Sequence, residues 1–173
     1  MKLNITTLTV CGLLCVQALA AAAEEKNNSV VTPAVIPQPK SLTRLDGAFT
    51  VSPDCVIVTD SLSSDTGKFL AERLRNATGY SINIAVQKEA DQKFPSGVIV
   101  LTTDKAKADL GAEGYELQVT PAAVTIRAPA QAGLFYGVQT ILQLLPPEIY
   151  SSNIVKGVEW QICLLYTSDA ADE

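Results

Sequence analysis

Residues 115–145 read YELQVTPAAVTIRAPAQAGLFYGVQTILQLL, and the change of period inside this stretch decides the fold. Tyr115 to Val119 and Val124 to Ala128 alternate in side-chain character, which places successive side chains on opposite faces of a strand. Thr120-Pro121-Ala122 between them supplies the turn of an antiparallel hairpin. From Ala130 to Leu145 the period lengthens: Leu134, Val138, Ile141 and Leu145 recur at helical spacing, and Phe135 and Leu142 widen the stripe. Pro146-Pro147 ends that helix, because proline has no N–H to donate and restricts the residue before it.

Working outward, the same reading extends toward the N-terminus. Leu42 to Leu45 and Phe49 to Val51 flank Asp46-Gly47, a dipeptide that tolerates positive φ and predicts a tight hairpin. Cys55 to Val58 is a short apolar strand. Asp60 or Ser61 can cap a following helix that carries Phe69, Leu70, Leu74 and Ala77 at helical spacing, with Gly79 as its stop. Ile82 to Val86 and Val98 to Thr102 are β-rich runs of one sheet, separated by the charged loop Gln87 to Gly97. Strands in hairpins, with two helices that must each bury one face, predict an α+β two-layer sandwich: a mainly antiparallel sheet with two helices packed on one face.

The 173 residues have room for one ordinary domain. Hydrophobic residues form 47% of the chain and charged residues 18%, a globular balance. The net charge of -5 is spread along the chain without a basic run, so nucleic acid is not an expected partner. The chain contains no histidine, which removes the commonest general base and zinc ligand. No cofactor or metal is implied.

Lys2, the uncharged apolar run Leu8 to Leu19 and the small residues from Ala18 to Ala23 predict an export signal over residues 1–23. That run is too short for a stable membrane span. Cys11 and Cys15 lie in this segment, but Gly12-Leu13-Leu14 is a poor lipoprotein signal. Residues 24–34 read as a flexible lead-in. Cys55 and Cys163 then remain, without the spacing of a metal site or a disulfide framework. Asn27-Asn28-Ser29 and Asn76-Ala77-Thr78 match the glycosylation sequon, which carries little weight in so short a pattern.

Three segments occur in a telling order: Val35-Ile36-Pro37-Gln38-Pro39-Lys40, Glu113-Gly114-Tyr115-Glu116-Leu117, and Gly133 to Leu145. Together they resemble the N-terminal, non-catalytic domain of family 20 β-N-acetylhexosaminidases, from about Val35 to Ile162. The resemblance implies an accessory domain at residues 35–157, a linker starting at 158–162, and a (β/α)8 catalytic barrel of the same polypeptide as partner. The parent enzyme would be exported to the periplasm or the extracellular space and would hydrolyse terminal non-reducing N-acetylhexosamine residues of glycans. In the family the substrate's own acetamido group is the nucleophile, a departure from the two-carboxylate scheme. The barrel's Asp-Glu pair serves that step, so no catalytic, cofactor-binding or metal-binding residue is assigned here, and this chain alone is expected to be inactive.

Asp172-Glu173 mimics that pair but lacks the glycine-rich strand end that precedes it in the family. Cys163 to Glu173 looks like the translation of a transposon-end sequencing adapter, which makes residues 163–173 a read-through sequence rather than a native one. Gly133 and Gly137 lie on one helical face and permit close approach, either to the sheet or to the absent barrel. Glu89, Asp91, Asp104, Asp109, Glu113 and Glu116 lie among lysines and read as a solvated surface. Trp160 reads as buried or at a domain interface. Two alternatives stay open: the N-terminal domain of another glycosidase, such as an O-GlcNAcase-like enzyme, and a free-standing carbohydrate-binding or adaptor module, which would show an exposed aromatic platform or a polar groove.

Overall fold

The computed structural model describes residues 35–36, 38–86 and 97–169. The expected signal, the lead-in, Pro37, most of the charged loop after Val86 and the final Asp172-Glu173 lie outside the described residues. In chain order the elements are β1 (Ser41–Thr50), β2 (Val56–Thr59), α1 (Ser64–Thr78), β3 (Asn83–Val86), β4 (Val98–Thr102), β5 (Tyr115–Val119), β6 (Ala123–Arg127), α2 (Gln131–Leu144) and β7 (Gln161–Asp169). Short 3-10 turns occur at Ala108–Leu110 and Pro147–Tyr150.

The α+β class holds, with one sheet and two helices among the described residues. The sheet order is β1-β7-β5-β6-β4-β2-β3. β6, β5, β7 and β1 are joined by antiparallel pairings. β3, β2, β4 and β6 are joined by parallel ones, because α1 carries the chain back between β2 and β3. The predicted hairpin across Thr120 is present as β5–β6, closed by the Thr120 N–H donating to the Ala123 carbonyl at 2.9 Å.

Two local expectations give way to longer-range pairing. Asp46-Gly47 is not a hairpin turn: residues 41–50 form a single strand whose sheet partner is β7. Gly47 does adopt φ +113°, but that freedom serves an irregularity in which four steps along β1, from Arg44 to Ala48, face two steps along β7. The side chain of Leu164 fills the space beside it, 3.0 Å from where a Cβ on Gly47 would stand. At α1 the residue before the helix is Ser63, which makes no side-chain cap bond. Asp60 lies too far upstream to cap and does something else. Gly79 does end α1, at φ +74°, its N–H donating to the Arg75 carbonyl.

Asp60 ties the end of β2 to the end of β4. One carboxylate oxygen accepts from the N–H groups of Leu62 at 3.0 Å and Ser63 at 2.8 Å. The other accepts from the Thr103 N–H at 2.5 Å, the Thr103 hydroxyl at 3.0 Å and the Thr102 hydroxyl at 3.2 Å. The Ser63 hydroxyl completes the lock by donating to the Leu101 carbonyl at 2.8 Å. Burial acts to raise the Asp60 pKa, but the bonds from Thr103 and Ser63 outweigh it and hold the carboxyl below its ordinary value.

Both helices sit on one core. α1 contributes Leu70, Ala71, Leu74 and Ala77, and α2 contributes Leu134, Val138, Ile141 and Leu142, against Ile57, Ile99, Leu101, Leu117 and Ile126 of the sheet. Gly133 and Gly137 face the sheet, which decides between the two close approaches open from sequence. A Cβ on Gly133 would stand 2.2 Å from the Gly114 carbonyl oxygen, and one on Gly137 would stand 2.6 Å from Ile126 Cγ2. Tyr115 and Thr140 join their hydroxyls at 2.6 Å across the same buried contact.

The obstruction at Gly133 is backbone and cannot rotate away, whereas at Gly137 it is made by side-chain atoms of Ile126 and Tyr115, which have somewhat more room to adjust. Gly133→Ala is therefore expected to cost about 2–3 kcal/mol by overpacking, despite a propensity gain of roughly 1 kcal/mol. Gly137→Ala is expected to cost less, and urea unfolding of the two variants checks the order. For Asp60 the folded pKa is depressed, so its stabilisation is present above the unfolded value of about 3.9 and is lost as pH falls through the folded value. Asp60→Asn should lower stability at pH 7 by about 1–3 kcal/mol and flatten the stability profile below about pH 4, as measured by denaturant titrations across pH.

Candidate functional site

The outward face of the helix layer carries the largest aromatic group on the described surface. Phe69 of α1 and Phe135 of α2 have ring centroids 5.5 Å apart and planes inclined at 48°. Tyr136 lies edge-on to Phe135 at 6.3 Å and 62°. The Arg73 guanidinium lies 5.7 Å over Phe69. Phe135 is 40% exposed and Tyr136 44% exposed. Phe135 therefore does not widen the buried stripe as expected from its spacing. Gly133, Leu134, Gly137 and Val138 take the sheet-facing positions, which turns the residues between them toward solvent. Leu142, the other residue of that expectation, is buried.

Among the described residues the acidic side chains form no reactive constellation. Asp104, Asp109 and Glu113 are exposed, as expected of a solvated surface, and Glu89 and Asp91 lie outside the described residues. Glu116 is the exception. Its carboxylate pairs with the Lys107 ammonium at 2.5 Å and accepts from the Tyr166 hydroxyl at 2.8 Å. Burial acts to raise the Glu116 pKa, but these bonds prevail and hold it below the usual value. A carboxylate so engaged is ionised and committed, the opposite of a general acid. No cluster of three or more His, Cys, Asp or Glu suited to a metal ion occurs among the described residues.

Cys55 and Cys163 are both free thiols. Burial pushes Cys55 up to about 11, so it stays a protonated apolar side chain at neutral pH. Trp160 is buried in the core, 2% exposed, and its carbonyl accepts from the Val51 N–H at 2.8 Å. In the sequon at Asn76, the Thr78 hydroxyl is buried, donating to the Leu74 carbonyl at 2.7 Å and accepting from the Tyr80 N–H at 3.0 Å. That threonine is a closing element of α1. The residues 158–162, read from sequence as the start of a linker, contribute Trp160 and Ile162 to the core.

Sequence reasoning did not find the aromatic group or the Asp60 lock, since each joins residues dozens of positions apart. A weak signal for the first was present: Phe135 and Tyr136 are adjacent, so a single helical face cannot bury both.

Comparison with known proteins places this arrangement. The family model described as glycosyl hydrolase family 20, domain 2, matches residues 32–160. A beta-hexosaminidase of Porphyromonas gingivalis is 33% identical over 155 residues, covering 86% of this chain but 19% of that protein. A lacto-N-biosidase of Bifidobacterium bifidum is 25% identical over 143 residues, covering 78% of this chain and 12% of that protein. Among solved structures, the Streptomyces plicatus N-acetyl-beta-hexosaminidase in complex with Thio-NAglucal superposes with a TM-score of 0.65 at 32% identity, covering 78% of this chain and 26% of that one. The chain thus spans under a fifth of the length of these curated relatives. With its mixed sheet, its two helices on one face and the family model matched from residue 32 to residue 160, the chain belongs to glycoside hydrolase family 20, to which it contributes the domain described as domain 2.

Proposed function

We propose that this chain is the accessory, non-catalytic domain of an exported β-N-acetylhexosaminidase, an exo-acting enzyme that removes terminal N-acetylhexosamine residues from glycans. The observation that carries this reading is the pairing of a family 20 domain 2 match with an unfilled aromatic face and no reactive side-chain constellation among the described residues. The domain's work would be mechanical. Its outer helix face, with Phe69, Phe135 and Tyr136, would pack on the catalytic (β/α)8 barrel of the same polypeptide, each already half-buried ring adding less than half of the roughly 1.5–3 kcal/mol that full burial of a large apolar side chain is worth. The similar proteins named as a beta-hexosaminidase and a lacto-N-biosidase support a carbohydrate-cleaving parent.

A free-standing carbohydrate-binding module fits less well, since stacking on a sugar favours a flat platform and these rings are inclined at 48° and 62°. Export rests on the sequence pattern of residues 1–23, and delivery to the periplasm or the extracellular space follows from it. Among the described residues no helix is long and apolar enough to cross a membrane. The segment 163–173 is proposed to be adapter read-through, with the native sequence diverging after Ile162.

The test is turnover of an aryl N-acetyl-β-glucosaminide by this chain and by the longer protein encoded by the recovered gene. The longer protein should cleave and this chain should show no rate above buffer; turnover by this chain, or a longer protein without such activity, would overturn the reading. In the longer protein Phe135→Asp should lower the melting temperature by several degrees while kcat/KM of the folded fraction stays within about twofold, because the residue touches no substrate.

A further inference from the structure

β1 has a single neighbour in the sheet, and that neighbour is the last strand of the chain. β7 runs antiparallel between β1 and β5, pairing from Thr50↔Gln161 to Ser41↔Ser168 on one side and from Val119↔Leu165 to Tyr115↔Asp169 on the other. The family match ends at residue 160, one residue before β7 begins. An internal strand of this sheet is thus built from chain that the family model does not cover. What holds it is mostly backbone ladder, with Ile162, Leu164, Leu165 and Thr167 buried and Tyr166 turned outward.

We infer that the slot between β1 and β5 is a strand-accepting surface. Its ligand class is an extended peptide entering antiparallel to both neighbours, with apolar or small side chains at the positions of Ile162, Leu164, Leu165 and Thr167 and little constraint at that of Tyr166. Main-chain pairing supplies the affinity and the side chains buried on the two faces supply the selection. Two edges that the chain itself leaves far apart in sequence, at residues 41–50 and 115–119, stay open until this strand arrives. Completing the domain then falls to whichever segment follows Ile162. A read-through sequence can occupy such a slot, since the slot selects pattern over identity. The inference holds equally for a native sequence there.

The strand is entered through Ser151 to Trp160, a segment without helix or strand and with Gly157 at φ +78°. A protease site inserted between the exposed Ser152 and Asn153 allows the intact, folded chain to be nicked. The nicked pieces should co-elute. A fluorescent peptide of residues 153–173 should exchange in, with the Tyr166→Lys peptide binding within about threefold of it and the Leu165→Asp peptide at least tenfold weaker, the loss expected from an unpaired charge at a buried site. In the uncut chain, Leu165→Asp should strip hydrogen-exchange protection from residues 41–50 while Tyr166→Lys leaves it. Failure of the peptide to exchange, equal weakening by both substitutions, or retained β1 protection in uncut Leu165→Asp would overturn the proposal.

Discussion

The fold depends on how closely α2 can approach the sheet. Gly133 stands over the Gly114 carbonyl and Gly137 over Ile126, at distances that no Cβ tolerates. That approach brings Leu134, Val138 and Ile141 into full contact with β5 and β6, where close packing rather than simple burial supplies the last increments of stability. α1 is seated by a related device, since a Cβ on Gly67 would meet the Thr59 side chain at 2.3 Å. With both helices pressed onto one face of the sheet, their outer surfaces form a second face, on which Phe135 and Tyr136 are exposed and Phe69 is half-buried against the core.

The engaged carboxylates of the described residues serve the fold. Asp60 and Glu116 are both held below their ordinary pKa, and each is engaged by several donors. Asp60 holds together the β2 and β4 ends, and Glu116 anchors Lys107 and Tyr166. An active-site acid or base must change protonation within reach of a substrate, and neither group is free to do so. The buried thiol of Cys55 is likewise out of play. Such bonds stabilise the fold.

Where the controlling interaction is local, the sequence was easy to read. The β5–β6 hairpin, α2 with its proline stop, and the glycine that ends α1 each depend on neighbours within a few residues, and their positions agree with expectation. The failures share the opposite cause. Asp46-Gly47 carries a true turn signal, but β1 pairs with a strand more than a hundred residues away. Asp60 resembles a cap, yet it also reaches across the sheet to Thr102 and Thr103. Phe135 fits the apolar stripe by spacing, and only the seating of Gly133 and Gly137 turns it outward. The parallel half of the sheet was hidden for the same reason, since strand direction is set by crossovers that no local pattern reports.

We propose that the aromatic face of the helix layer is covered by another domain of the same polypeptide. Hydroxyl-radical footprinting of Phe69, Phe135 and Tyr136, in this chain and in the longer protein, tests it directly. Strong labelling of Phe135 and Tyr136 is expected here and marked protection of both in the longer protein, with half-buried Phe69 labelled weakly and buried Trp160 unlabelled in both. Equal labelling of Phe135 and Tyr136 in the two proteins would contradict it.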